Sequence, residues 1–223
     1  MGESHAPKLE AFVFDLDGTL LDTLPDLVLL TNAVLRECGY PERTSAEILS
    51  FVGNGVKALM YQAVPEDADA ADVEAAMRRW KELYPAYGHK LTKAYDGIPE
   101  TVAELKRRGA RLGVLSNKFD GAVREVIGSY LPGLFEVAHG ECAEFPRKPD
   151  PAGLLRTIDE LGATPATTAY VGDSAGDIAV SRNAGAFAIA VAWGYHEKGR
   201  LAEARPDALI GRAGELLRFA PSA

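Results

Sequence analysis

The apolar positions of this chain gather into short unbroken runs, separated by longer segments with helical spacing. AFVF (residues 11–14), RLGVLS (111–116), TAYVG (168–172) and AIAVAW (188–193) are the clearest runs, with weaker ones at 135–138 and 208–210. Runs without polar alternation suit strands buried on both faces of a parallel sheet. Segments 99–108, 121–130, 151–161 and 176–184 carry helical patterns between them. This alternation predicts a doubly wound, Rossmann-like α/β sheet.

One stretch interrupts the alternation. Between the first run and the next clear one lie roughly a hundred residues, mostly with helical patterning. Leu24, Leu27, Val28, Thr31, Val34, Leu35 and Cys38 form one stripe, stopping at Gly39. Met77, Trp80, Tyr84 and Tyr87 form another, stopping at Gly88. Both stripes are accounted for by helix packing. A helical insert after the first strand would stand over the carboxyl edge of the sheet, where α/β proteins place ligands, so a lid is expected there.

Composition narrows the picture without deciding it. Of 223 residues, 47% are hydrophobic and 25% charged, which is ordinary for a globular chain. The net charge of −8 leaves no overall basic footprint, so neither nucleic acid nor an anionic membrane is expected as a partner. No apolar run reaches the roughly 18 residues of a membrane helix. The first ten residues lack an apolar signal core, and Ala6 stands where a myristoylation signal needs Ser or Thr. A cytoplasmic location is the resulting expectation. Cys38 and Cys142 have no C-x-x-C spacing and read as small buried hydrophobes or free thiols.

The chemistry-bearing residues follow the apolar runs. DLDGTLLDT (15–23) comes directly after the first one. Residues two apart in an extended segment point the same way, so Asp15 and Asp17 can share one site. Gly18 permits a sharp turn beside them. Asp22 and Thr23 are accounted for by capping the helix that follows; Asp15 is not. GDSAGD (172–177) follows the run at 168–172 and adds Asp173 and Asp177. An acid at a helix start is often only a cap. With Asp15 and Asp17, however, these residues make an acidic cup that repels itself unless a cation sits in it. Mg²⁺ suits such a cup, because it takes one or two carboxylates with phosphate oxygens and water. Ser116 and Asn117 end the 111–116 run, and Lys148 stands in RKPDP between Pro146 and Pro149. Each of these three is an unremarkable surface residue if taken singly.

Together, DLDGTLLDT, LSN, RKPDP and GDSAGD resemble, in this order, the four motifs of the haloacid dehalogenase-like hydrolases. The likeness runs from about residue 10 to residue 210. FVGNGVKALM (51–60), YDGIPETVAELKRRG (95–109) and WGY (193–195) are similar to the phosphoglycolate phosphatase branch. The resemblance implies a core of residues 1–22 and 93–223, with a small helical cap at 23–92. It implies Asp15 as nucleophile and Asp17 as general acid and base. It further implies Mg²⁺ held by Asp15, Asp17 through its carbonyl, Asp173 and Asp177. Ser116, Asn117 and Lys148 would hold the phosphoryl group, with Gly18 and Thr19 lining its site.

The implied reaction is hydrolysis of a small phosphomonoester, foremost 2-phosphoglycolate, by a monomer or homodimer. Other sugar or nucleotide monophosphates, pyrophosphate, or a β-phosphoglucomutase-like isomerisation are the nearest alternatives. A phospho-accepting signalling or binding domain is the alternative from another class, disfavoured by the long insert and the Asp15–Asp17 pair. Asp17 separates the branches within the family. Displacing halide needs no proton, and the dehalogenase branch lacks an acid there. In the phosphonatase branch a cap lysine forms a Schiff base, and Lys57 is the nearest counterpart.

Substrate selection is expected in the cap. Gly53, Asn54 and Gly55 resemble a loop that closes over the site, with Lys57 or Arg43 near enough to meet a small carboxylate. His89 and His139 are further candidates for substrate contact. Trp193 and Tyr195 are expected to pack at the edge of the sheet rather than stack on a ligand.

Overall fold

The computed structural model describes residues 6–87 and 89–221. The expected helix stop at Gly88 and the reading of residues 1–5 lie outside them. Six parallel strands form the central sheet: β1 (Ala11–Phe14), β4 (Arg111–Phe119), β5 (Val137–Glu141), β6 (Thr168–Gly172), β7 (Phe187–Val191) and β8 (Ala208–Ile210). Their spatial order is β5-β4-β1-β6-β7-β8. The chain thus winds outward from β1 in one direction and then in the other. The clefts beside β1, at the carboxyl ends of β4 and β6, are the switch point where such sheets place ligands.

Alternation along β1 explains the two-sided burial. Phe12 and Phe14, fully buried, join Leu112, Val114 and Val171 on one face, under Ile98, Val102 and Leu105 of α5 (Ile98–Arg107) and Val123 and Val126 of α6 (Asp120–Tyr130). Ala11 and Val13 join Leu115 and Tyr170 on the other, under α7 (Ala152–Glu160) and α8 (Ala175–Ala184). Each large side chain removed from water in this way contributes about 1.5–3 kcal/mol before entropy is counted.

Four helices separate two halves of a small ribbon. They are α1 (Leu24–Glu37), α2 (Ser45–Phe51), α3 (Gly55–Ala63) and α4 (Ala70–Tyr87). The ribbon pairs β2 (Leu21–Asp22) with β3 (Lys93–Ala94), antiparallel. Most of the two stripes packs inward: Leu27, Val34 and Leu35 of α1, joined by Leu30, pack with Trp80 and Tyr84 of α4, while Cys38 at the end of the first stripe is exposed. Trp80 Nε1 also donates to Thr31 Oγ1 at 3.2 Å.

The two crossings between segment and core are clamped by a fully buried carboxylate, Asp26. It accepts from the amides of Lys90 (3.0 Å), Leu91 (2.9 Å) and Thr92 (2.6 Å) and from Thr92 Oγ1 (2.7 Å). Nothing in the sequence pattern marks Asp26 for this work, since an acid in the first turn of a helix has an ordinary explanation. Among the described residues, no helix is long and apolar enough to cross a membrane. Cys38 and Cys142 are both free and exposed, so of the two readings the free thiol holds and burial does not.

Candidate active site

Four turns meet at the carboxyl edge around a cavity of about 380 Å³. Asp15 and Asp17 come from the turn after β1, Ser116 and Asn117 from β4, Lys148 from the loop before α7, and Asp173 from the turn after β6. Leu49, Val52, Gly53, Asn54 and Leu59 of the helical segment form the opposite wall.

Close approach of backbone dictates the residue types here. Gly18 has φ +82°, and a Cβ on it would lie 2.5 Å from Asp173 Oδ2. A Cβ on Gly194 would overlap the Gly18 carbonyl oxygen and the Asp173 side chain. The turns after β1, β6 and β7 are therefore packed backbone to backbone around one carboxylate, which only glycine allows. Asp173 is also held by the Tyr195 amide (2.7 Å) and by the Thr19 hydroxyl (3.4 Å).

Asp15, Asp173 and Asp177 are all buried, and one carboxylate oxygen from each lies within 4.8 Å of the others. One ammonium answers them. Lys148 Nζ stands 2.7 Å from Asp177 Oδ1 and 2.9 Å from Asp15 Oδ1. The second contact is an ion pair off the line of a hydrogen bond, so Asp15 Oδ1 has no aligned donor. Burial and the neighbouring Asp177 and Asp173 outweigh the pull of Lys148 and push Asp15 up to about 7. Burial works against the Lys148 ammonium too, yet Asp15 and Asp177 hold it well above the ordinary lysine range. The two directions agree once the ammonium is seen as shared: it keeps its proton, and Asp15 stays under-compensated.

Three buried carboxylates against one ammonium, with an oxygen lacking a donor, form a donor set that fits a hard cation. Asp177 has the cap role as well, since its Oδ2 accepts from Ser174 N (2.9 Å) and Ser174 Oγ (2.7 Å). The cap contacts occupy Oδ2, while Oδ1 faces Lys148.

A family profile described as haloacid dehalogenase-like hydrolase matches residues 12–191. The chain belongs to that family. It is 32% identical to the phosphoglycolate phosphatase of Vibrio cholerae serotype O1, over 94% of this chain and 96% of the relative. It is 31% identical to the N-acetylmuramic acid 6-phosphate phosphatase of Pseudomonas aeruginosa, over 94% of both chains. A crystal structure from Lactobacillus delbrueckii subsp. bulgaricus superposes with a TM-score of 0.87 at 28% identity, covering 96% of this chain and all of the other.

In this haloacid dehalogenase-like hydrolase the site differs from its sequence reading in four places. First, β4 runs three residues past Ser116, to Phe119, with a register shift between Leu115 and Phe119. The extension carries Lys118, absent from the expected set, into the cavity wall. Lys118 is 7% exposed, with Nζ 3.1 Å from Asp17 Oδ1 and 5.6 Å from the Tyr84 ring centroid. A signal was available: residues 116 and 118 share a face of any strand that continues.

Second, Thr23 does not cap α1 with its side chain. Its hydroxyl donates to Asp17 Oδ1 at 2.6 Å, and the amides of Thr23 and Leu24 donate to Tyr195 Oη, each at 2.9 Å. Tyr195 lines the cavity, so it is not merely an edge residue. Trp193 does pack, donating to the Thr19 carbonyl at 3.0 Å.

Third, Gly18 and Thr19 lie beneath the site rather than along its wall: Thr19 is fully buried. Fourth, the cationic candidates of the helical segment face elsewhere. Arg43 Nε donates to the Ala63 carbonyl at 2.8 Å, and Lys57 pairs with Glu74 at 3.2 Å in solvent. His89 pairs with Glu125, while His139 stacks on Phe145 (3.9 Å between centroids) and pairs with Glu160 at 2.6 Å. None of these four lines the cavity.

The Gly53–Gly55 loop does reach the site, and it does so by its carbonyls. Gly53 O accepts from Asn117 Nδ2 at 2.8 Å, and Asn54 O accepts from an Arg147 guanidinium N–H at 2.7 Å. Asn117 Oδ1 accepts from the Lys148 amide at 2.8 Å, so a single side chain ties this loop to the lysine loop.

Proposed function

We propose that the protein is a Mg²⁺-dependent phosphatase of small phosphomonoesters, with 2-phosphoglycolate as its substrate. The observation that carries this reading is the uncompensated cup of Asp15, Asp173 and Asp177 around Lys148, beside a cavity of metabolite size. The relatives named phosphoglycolate phosphatase support the substrate.

In the proposed reaction an Asp15 carboxylate oxygen attacks phosphorus. The bond from phosphorus to the ester oxygen breaks, and Asp17 gives its proton to the departing alkoxide. Asp17 then takes a proton from water, which attacks the same phosphorus and releases Asp15. Ser116 and the Lys148 ammonium hold the equatorial oxygens, where positioning and charge do most of the work in phosphoryl transfer. The hydroxyl of Thr23 and the ammonium of Lys118 orient Asp17. Mg²⁺, when held by Asp15, Asp173 and Asp177, supplies charge neutralisation for the carboxylates and the phosphoryl oxygens.

Residues 23–92 form, on this proposal, a cap over a core of 1–22 and 93–223. Closure of the cap keeps bulk water from the reacting phosphorus. The wall of Leu49, Val52 and Leu59 exceeds what a two-carbon acid needs, and the N-acetylmuramic acid 6-phosphate phosphatase relative favours a sugar monophosphate as a second reading.

Steady-state turnover of 2-phosphoglycolate, sugar phosphates and a chromogenic ester, with and without Mg²⁺, tests both readings. Asp15→Asn is expected to abolish turnover of all of them. Undiminished rates in that variant would remove the nucleophile from the scheme. A sugar phosphate ranking far above phosphoglycolate in kcat/KM would replace the substrate and leave the chemistry.

A further inference from the structure

Arg43 and Lys57 are engaged outside the cavity, so a substrate with an anionic tail has to find its cation elsewhere. Lys148 is divided between Asp15 and Asp177, at the phosphoryl end. Arg147, at the loop rim, is held by Glu141 (2.6 Å) and Asn54. Arg200 is an exposed lining residue on α9 (Lys198–Glu203). Lys118 is different. It is a buried cation on the cap side of Asp17, between that carboxylate and the Tyr84 ring. Its ammonium has three N–H donors, and among the described residues it bonds only to Asp17, at 3.1 and 3.4 Å to the two oxygens. Donor capacity therefore remains, in a cavity whose neighbouring wall is Leu27, Trp80 and Phe119.

We propose that Lys118 is the specificity residue for the tail of the substrate, donating to a carboxylate carried two bonds beyond the ester oxygen. The geometry follows from the roles already assigned. The leaving oxygen has to meet Asp17, and the Lys118 ammonium stands beside that carboxyl, so a short acidic leaving group points its charge at Nζ. Apolar walls on the other sides raise the worth of that contact, because water competes weakly there. The inference deepens the phosphoglycolate reading and rests on it.

The test compares 2-phosphoglycolate with 2-hydroxyethyl phosphate, an ester of similar size with a neutral tail, in wild type, Lys118→Met and Lys118→Gln. Loss of support for Asp17 affects both esters alike and cancels in the ratio of their kcat/KM values. The wild-type ratio is expected to favour the acid, and each variant to lower that ratio about thirtyfold, as a charged hydrogen bond is worth. Lys118→Gln keeps a hydrogen bond to Asp17 and serves if the Met variant does not fold. A fall smaller than tenfold overturns the assignment of Lys118 while leaving the substrate reading intact. A wild type without preference for the acid removes the substrate reading itself, and the role of Lys118 with it.

Discussion

The ammonium of Lys148 lies 2.9 Å from Asp15 Oδ1, in ion-pair range yet off the line of a hydrogen bond. The proposed nucleophile is thus kept near a positive charge without having a lone pair tied up. Replacing Lys148 by Met leaves buried carboxylates unanswered. The variant is expected to lose about 3 kcal/mol in a denaturant melt, as broken buried pairs do. Its kcat should fall about a hundredfold to a thousandfold, because a fixed charge on the phosphoryl oxygens is gone. Unchanged stability would mean that the pair is not a structural element of the fold.

The raised Asp15 carboxyl sets a pH dependence of stability. Its folded value of about 7 lies above the unfolded value of 3.8, so between these limits the metal-free fold binds more protons than the unfolded chain. The contribution of this group is complete below about pH 4 and is lost as the pH rises to about 7. Mg²⁺ competes with that proton. The rise in Tm on adding Mg²⁺ is therefore expected to be larger at pH 8 than at pH 5. Thermal melts with and without the ion check this, and an increment independent of pH would contradict it.

Gly194 offers a substitution that removes no functional side chain. Its added methyl in Gly194→Ala would overlap the Gly18 carbonyl and Asp173, forcing the turns after β1 and β6 apart. A destabilisation of about 1–3 kcal/mol is expected. The Mg²⁺ concentration for half-maximal activity should rise as well. Wild-type metal dependence in this variant would show that Asp173 is not held where the contact requires it.

The Asp26 clamp can be tested apart from the chemistry. Asp26→Ala removes the acceptor of four donors that tie residues 90–92 to α1. A loss of about 2–4 kcal/mol is expected, in the upper range for single substitutions. Amide exchange should accelerate at Lys90, Leu91 and Thr92 before it does in β1. Protection that persists at those amides would place the clamp elsewhere.

Much of this was readable along the chain. Unbroken apolar runs gave the strands of the sheet because burial on both faces leaves no polar alternation, and they located Asp15 and Asp173 at strand ends. Apolar stripes gave α1 and α4. What stayed hidden depends on contacts between distant segments. Lys118 is hidden in the sequence because polar residues 116–118 have the pattern of a strand end, whereas β4 runs on to Phe119. Asp26 has the ordinary place of a first-turn acid and Tyr195 that of an edge aromatic; only their partners at 90–92 and 23–24 give them their roles. Arg43 and Lys57 were near the right loop in sequence but on its outer side in space.

The two carbonyl tethers of the Gly53–Asn54 loop carry a kinetic corollary. If the loop is the gate of the proposed cap, lifting it breaks both threads, to Asn117 and to Arg147. At about 1 kcal/mol each, the unlatched form amounts to a few per cent of the population at any instant. On the proposed mechanism such a latch would favour the closed form while phosphorylated Asp15 is present and still let products leave.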